Sequence, residues 1–531
     1  MTGGSEKPAG GYDPTPLHPS TSPTYTLRIT FHRAINLPIA DMHSQSSDPF
    51  LLAQILTSQK PRHSHNPHLR FRTNTIRKSL DPEWNAQWMV AGVPSNGMTL
   101  KVRAYDEDPE DHDDRLGKFE YTTGPIDENW KGIQEQAFKL KKTGADLRAY
   151  ALRWVCVMVN NRELHAQVVI SVEVMGRTKQ EIGKTYTING FWWKHYSSMI
   201  GRLTGVKAKD DEGVERYNFQ ANEIQFIGPV PNELYHRYVD FKPFVAGMFT
   251  STGLRGRILN KVLHHQHERI YNYDRRTEYG VLPETQEGDP PSQEVTRKFL
   301  ELVHHDQGAR IFTYIITLDG LFRFTETGKE FGIDLLSKHT MHSDVNIYIA
   351  WSGEFLIRRL PRSSKDPADK SQETRSPKQD VPDGPPSSLP PVDPSHYELI
   401  IDNDSGTYRP NKDLIPILKK FLQHNLPGIK VVVMACDDDR LQTIKAEQRK
   451  AKGKEGDHIV YGQQSRSSLG SGGDGGSISS SDEKRLSKRA KQMKDDNDSL
   501  ERPLGSKLEK GFNALQNPKD TVKAAIYSTK E

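Results

Sequence analysis

Tyr105-Asp106-Glu107-Asp108-Pro109-Glu110-Asp111-His112-Asp113-Asp114-Arg115-Leu116-Gly117 carries seven carboxylates in the nine positions from 106 to 114. The run just before it, Leu100-Lys101-Val102-Arg103-Ala104-Tyr105, alternates apolar and polar residues and reads as a half-buried strand. The acids therefore begin where a strand stops. Upstream, Leu37-Pro38-Ile39-Ala40-Asp41 and Ser47-Asp48-Pro49-Phe50 offer two more aspartates, where one strand ends and the next begins. Calcium is a hard cation that takes about six to eight oxygens, supplied largely by carboxylates from adjacent loops.

Further strands read at Thr26–Phe31, Leu51–Leu56 and Gln167–Val172, with turn signals between them, so residues 24 to about 178 are expected to form an all-β sandwich of eight antiparallel strands. Its loops resemble those of the C2-domain family, whose first loop reads L-x-x-x-D followed by S-D-P-[YF] and whose third reads D-x-D-x5-D-x-x-G. Asp106, Asp108, Asp114 and Gly117 match the third-loop pattern, and Ser79-Leu80-Asp81-Pro82-Glu83-Trp84-Asn85 is similar to the family's L-[ND]-P-x-W-N turn. The order of strands resembles the permuted C2 topology, closed by Gln167 to Val174. The resemblance implies Ca2+ as the cofactor, with Asp41, Asp48, Asp106, Asp108 and Asp114 as ligands. The first loop, Met42 to Ser47, is one residue longer than the family's usual one.

Between 60 and 78 there is no acidic residue, while Lys60, Arg62, Arg70, Arg72, Arg77 and Lys78 crowd into it. A strand over Arg70–Lys78 would set several of these cations on one face. In C2 domains that strand carries a basic patch for phosphoinositide or phosphatidylserine. Lys60, Arg70, Arg72, Arg77 and Lys78 are the candidate lipid-binding residues, and an edge that merely discourages strand pairing is the alternative. Each cation near an anionic leaflet contributes about 1 kcal/mol. The expected partners are anionic phospholipid membranes, with a protein partner as the other possibility and no nucleic acid, since the net charge is only +4.

Of the 531 residues 34% are hydrophobic, with 40 Gly and 33 Pro, a composition that calls for disordered stretches beside folded cores. A flexible arm is expected over 1–23, a disordered insert over 361–394, and a charged, Ser/Gly-rich tail over 441–531 whose residues Lys507 to Ile526 form a marginal helix. An α+β domain is expected over 179–360 and 395–440, with helices at Gly253–Leu263, Ser292–Val303 and Leu414–His424. Its strands are expected at Ile311–Leu318, Val345–Ile349, Tyr397–Ile401 and Ile429–Met434, and a charged helix follows at Asp439–Lys452. Pairing of 347–360 with 397–401 would make the insert an interruption of one domain. Phe191-Trp192-Trp193-Lys194-His195-Tyr196 fits a seam between domains better than a bilayer interface.

Cys156 and Cys436 suggest no disulfide framework, the first 22 residues do not read as a signal peptide, and no apolar run is long enough to span a membrane. A cytoplasmic protein, peripheral on membranes, is the expectation. No catalytic motif is present: HExxH, GxSxG and the P-loop are absent, and His264, His265, His267, His304 and His305 read as polar helix ends. Lys338-His339-Thr340, Trp351-Ser352-Gly353-Glu354-Phe355 and Asp404-Ser405-Gly406-Thr407-Tyr408-Arg409-Pro410 resemble segments of the plant IQ-motif calmodulin-binding protein domain, and the whole chain is similar to fungal C2-domain proteins. Two functional classes lead, with a third behind them. One is a calcium-dependent, phospholipid-binding peripheral membrane protein. The other is an enzyme in the 180–440 region that the C2 domain localises, and a protein–protein C2 module is a third.

Overall fold

Twelve residues of alternating character, Thr24–Ile35, form β1, and their buried members Leu27, Ile29 and Phe31 point into one core. The computed structural model describes residues 22–40, 46–62, 66–107, 113–141, 165–179, 182–189, 192–196, 207–209, 215–217, 221–237, 278–282, 292–305, 310–327, 348–360, 392–403 and 411–455. All of them fall in one compact unit. The expected helices at Gly253–Leu263 and 507–526, and residues 1–21 and 361–391, lie outside this set.

The sandwich continues with β2 (Pro49–Thr57), β3 (Leu69–Arg72), β4 (Glu83–Pro94), β5 (Met98–Asp106), β6 (Asp114–Thr122), β7 (Ile133–Lys139), β8 (Gln167–Arg177) and β9 (Tyr186–Thr187). One sheet runs β7-β8-β1-β4-β9 and the other β3-β2-β5-β6, antiparallel throughout. Tyr186 and Thr187 pair with Ala91 and Val90, so the sandwich has nine strands where eight were expected. The core is aromatic at its centre: Phe71 stacks on Phe31 at 5.7 Å and on Trp88 at 5.4 Å between ring centroids. Burying each such ring is worth about 1.5–3 kcal/mol.

The basic strand is shorter than its sequence suggests. β3 stops at Arg72, and residues 73–79 turn away, zipped to the start of β2 by Thr73 N–H to Leu51 O, Ile76 N–H to Pro49 O and Ser79 N–H to Ser47 O. Lys78 takes φ +53, a left-handed conformation that ends any alternation. Arg70, Arg72, Arg77 and Lys78 therefore do not share one strand face.

The remaining strands are β10 (Trp192–Tyr196), β11 (Lys207–Lys209), β12 (Glu215–Tyr217), β13 (Ala221–Gln225), β14 (His236–Arg237), β15 (Glu278–Val281), β16 (Ile311–Ile316), β17 (Leu321–Thr327), β18 (Tyr348–Ile349), β19 (Trp351–Arg359), β20 (Tyr397–Ile401) and β21 (Lys430–Val433). Eight of them make a second sheet in the order β15-β10-β13-β17-β16-β19-β20-β21. β19 and β20 lie side by side, Arg359 opposite Tyr397, although more than thirty residues separate them in sequence. The edge pair β20 and β21 is parallel, which requires a crossover, and α2 (Ile415–Asn425) supplies it.

α1 (Gln293–Leu302) is capped at its start by Ser292, whose hydroxyl accepts from Glu294 N–H, and at its end by Val303; just beyond it the His305 ring meets Leu300 O at 3.0 Å. α1 and α2 cover one face of the sheet, burying Phe299, Phe322, Phe355 and Leu418. α3 (Asp439–Glu455) packs Leu441 against Leu356 and Ile400 of the opposite face, so the segment from 441 begins as a packed helix. The adjacent tryptophans divide between the two layers. Trp192 belongs to the sandwich core and stacks on Tyr279, whereas Trp193 packs against the core under α1.

Candidate functional site

Three of the five aspartates come together at one end of the sandwich. Asp48 immediately precedes β2, Asp106 ends β5 and Asp114 opens β6. The strand registers set Pro49 opposite Asp106 and Asp106 opposite Asp114. Asp48 N–H donates to the Asp106 carboxylate, and Glu107 N–H donates to Asp48 O at 2.9 Å, which locks the two loops together. Asp106 is only 1% exposed, while Asp114 lies at the exposed rim. Asp41 and Asp108 lie outside the described residues. Among the described residues, no three acidic, His or Cys side chains converge closely enough to hold an ion. The described aspartates nevertheless suit a hard cation in kind, since they offer only oxygen donors, from separate strand termini at one end of the sandwich.

The carboxylates already have cationic neighbours. Arg77 uses one guanidinium nitrogen for Asp48 at 2.8 Å and the other for Glu107 at 2.9 Å. The second Asp48 oxygen accepts from Lys78 N–H at 2.7 Å. Glu107, 3% exposed, is also held by Arg72 at 2.8 Å. A buried carboxylate is stable only when its charge is matched and its oxygens are hydrogen-bonded, and the two arginines do both.

Arg72 reaches further, into the second sheet. Its guanidinium lies over the Phe50 ring at 3.7 Å and over the Tyr279 ring at 4.2 Å, and the Tyr279 hydroxyl donates to Arg72 O. Arg70 pairs with Asp319 in the turn before β17 at 3.3 Å. Burial, with the Arg72 cation beside it, lowers Lys194 on β10 to about 8, although Asp113, Glu107 and Glu223 pull it upward. Of the five candidate lipid-binding residues, Arg72 is buried, and Arg70 and Arg77 are held in ion pairs. Lys60 and Lys78 present exposed side chains. The expected patch is thus partly engaged within the protein.

Sequence reasoning counted Glu107 among the acids but gave it no role, and it did not find Tyr279 or Asp319. Tyr279 lies more than two hundred residues from Arg72, so no local pattern joins them. Glu107 directly follows a buried strand end, and the acid-free cationic run at 70–78 was the available hint that it needed partners.

A second charged cluster lies beneath α3. Lys445, 2% exposed, reaches Glu354 on β19 at 2.6 Å and also contacts Asp402. Burial alone would lower this ammonium, but Asp402 and Glu354 hold it above its ordinary value. Ser352 and Thr313, both fully buried, have hydroxyls with no hydrogen-bond partner among the described residues. The other groups singled out in this region, His339 and Asp404 to Pro410, lie outside the described residues, as do His264, His265 and His267.

Comparison with known proteins bears on the sandwich. The family description "C2 domain" matches residues 25–138. "Protein C2-DOMAIN ABA-RELATED 1" of Arabidopsis thaliana is 30% identical over 100 residues, 19% of this chain and 51% of that protein. "Extended synaptotagmin-3" of Homo sapiens is 33% identical over 96 residues, 18% of this chain and 10% of that protein. This chain thus spans about half of the first relative's length and a small part of the second's. Among solved structures, a C2 domain of plant Extended Synaptotagmin 1 is matched at 15% identity and a TM-score of 0.20, covering 30% of this chain and 98% of that one. These comparisons lend no support to the likenesses to the plant IQ-motif domain or to fungal C2 proteins. Residues 25–138 of this chain are a C2 domain.

Proposed function

We propose that the C2 domain attaches this chain to anionic phospholipid membranes in a calcium-dependent way, with Asp41, Asp48, Asp106, Asp108 and Asp114 holding Ca2+. The observation that carries this reading is the placement of Asp48, Asp106 and Asp114 at neighbouring strand termini at one end of the sandwich. Calcium bound there supplies positive charge for headgroup phosphates. The chain's own residues do the rest. Asp48 and Asp106 are held in place by the backbone links between their loops, and Lys60 and Lys78 add exposed cations.

The acids at 106–114 outnumber the charges of two calcium ions, so attraction cannot rest on charge reversal alone. Bridging between carboxylate and phosphate through the ion, helped by nearby cations, accounts for it better. Each of those cations contributes about 1 kcal/mol and is screened by salt. No helix among the described residues is long and apolar enough to cross a membrane, and the reading needs none. A cytoplasmic, membrane-peripheral location follows from the same proposal.

Co-sedimentation of the full chain with phosphatidylserine-containing vesicles tests it, with and without calcium. Wild type should pellet with vesicles in calcium and stay in solution in chelator. Asp106→Asn/Asp108→Asn should stay in solution in both. Binding that ignores calcium would move the weight to Lys60 and Lys78, and no binding at all would overturn the membrane reading in favour of a protein partner.

A further inference from the structure

We infer that Arg77 is a resident counter-cation of the candidate calcium site and sets its calcium affinity by competing for Asp48. The inference rests on the calcium reading proposed above.

Both oxygens of Asp48 are engaged, one by the Arg77 guanidinium at 2.8 Å and the other by Lys78 N–H at 2.7 Å. The arrangement is built by the backbone. Residues 76–79 are hydrogen-bonded to 47–49, and the left-handed Lys78 turns its own N–H and the preceding arginine toward the carboxylate. Arg77 is therefore delivered to Asp48 by its loop, unlike a long surface side chain that finds an acid by chance.

Calcium binds carboxylate oxygens directly, so an ion using Asp48 must first remove the guanidinium from it. The fork geometry makes that removal feasible. Its second nitrogen holds Glu107 at 2.9 Å, so Arg77 has a partner to keep when Asp48 is lost. Its side chain is 45% exposed and already lies at the rim. An arginine released there stands where a headgroup phosphate would approach. Arg72, the other partner of Glu107, is buried and stacked, so it cannot take the same part.

A competing cation lowers apparent affinity in proportion to its own hold on the site. A partly exposed, hydrogen-bonded ion pair of this kind is worth up to about fivefold in a binding constant. Titration calorimetry of calcium into the full chain tests this, comparing wild type, Arg77→Gln and Arg77→Lys, with melting curves to check folding. Arg77→Gln should bind calcium about twofold to fivefold more tightly. Arg77→Lys, which keeps the charge but cannot reach both acids at once, should fall between it and wild type. It carries the test should the glutamine variant fail to fold. Calcium binding by the variant and none by wild type would be the extreme form of the same result.

If both bind calcium equally, Arg77 does not compete, and the calcium reading stands without this inference. If the variant binds more weakly, Arg77 holds Asp48 in place for the ion, and competition is overturned. If no form binds calcium, both readings fail together.

Discussion

In the sandwich the buried ions sit at the rim, where Arg72 and Glu107 lie beside loops that reach solvent and the interior between the sheets is apolar. In the eight-stranded sheet one buried cluster sits under α3, where Lys445, Glu354 and Asp402 are nearly inaccessible and face a layer that also contains Ser352 and Thr313. One fold stacks two sheets, so each strand has one apolar and one polar side, and charge gathers at the ends. The other lays helices on both faces of a single sheet, so polar residues that would have met water are closed in. A buried charge then needs its partner more, because no solvent can replace it.

The sharpest way to break this comparison is to remove a central element from each region. Lys445→Met would remove the buried cation from between Glu354 and Asp402, leaving the exposed Arg449 at 3.6 Å from Glu354, and a loss of about 3–5 kcal/mol is expected. Phe71→Ala would open a cavity in the aromatic core of the sandwich, at a similar cost of about 3–5 kcal/mol. The two differ in their response to removing a partner charge. Adding Glu354→Gln should recover part of the Lys445→Met loss, and should recover none of the Phe71→Ala loss. Urea unfolding of the single and double variants reads both, and equal behaviour would mean the buried cluster is not electrostatic in origin.

A smaller effect is expected at the seam between the regions. Lys194 is lowered to about 8 in the folded chain against an ordinary 10.5, chiefly by burial. Between those values the unfolded chain binds the proton and the folded chain does not, so this residue makes stability rise with pH from about 8 to 10.5. Below about 8 both forms carry the proton, and its share of the slope vanishes. Lys194→Met should flatten the upper part of the stability profile relative to wild type, and an unchanged slope would show that Lys194 keeps its proton when buried.

The smallest effect should come from Ser352→Ala. Its hydroxyl has no partner among the described residues, so removing it should change stability by less than about 1 kcal/mol or raise it slightly. A loss above about 2 kcal/mol would mean that a water or a ligand satisfies this group in solution.

Strands such as β1, β2 and β5 were legible because their alternation has a period of two and the buried side is apolar. α1 and α2 were found within a residue or two of their ends, aided by Ser292 as a cap. β3 was overextended because a run of cations says nothing about where a chain turns. The cost lies in the backbone of Lys78, which adopts a conformation that its residue type does not announce. β9 was missed because two residues carry no periodicity, and only pairing with β4 makes them a strand.

The candidate site divides along the same line. The amino-acid sequence by itself determined that aspartates would gather at strand ends, because the spacing from Asp106 to Gly117 follows from strand and turn geometry over a short distance. It also determined that cations would crowd between 60 and 78. Which acid each cation would meet was decided by the tertiary structure alone. Arg77 found Asp48, Arg72 found Glu107 and Tyr279, and Arg70 found Asp319, because charge pairing depends on distances across loops and sheets that no local pattern encodes. Local sequence sets the direction of a strand and the residues at its ends, whereas burial creates the need for a counter-charge, and burial exists only once the layers have closed.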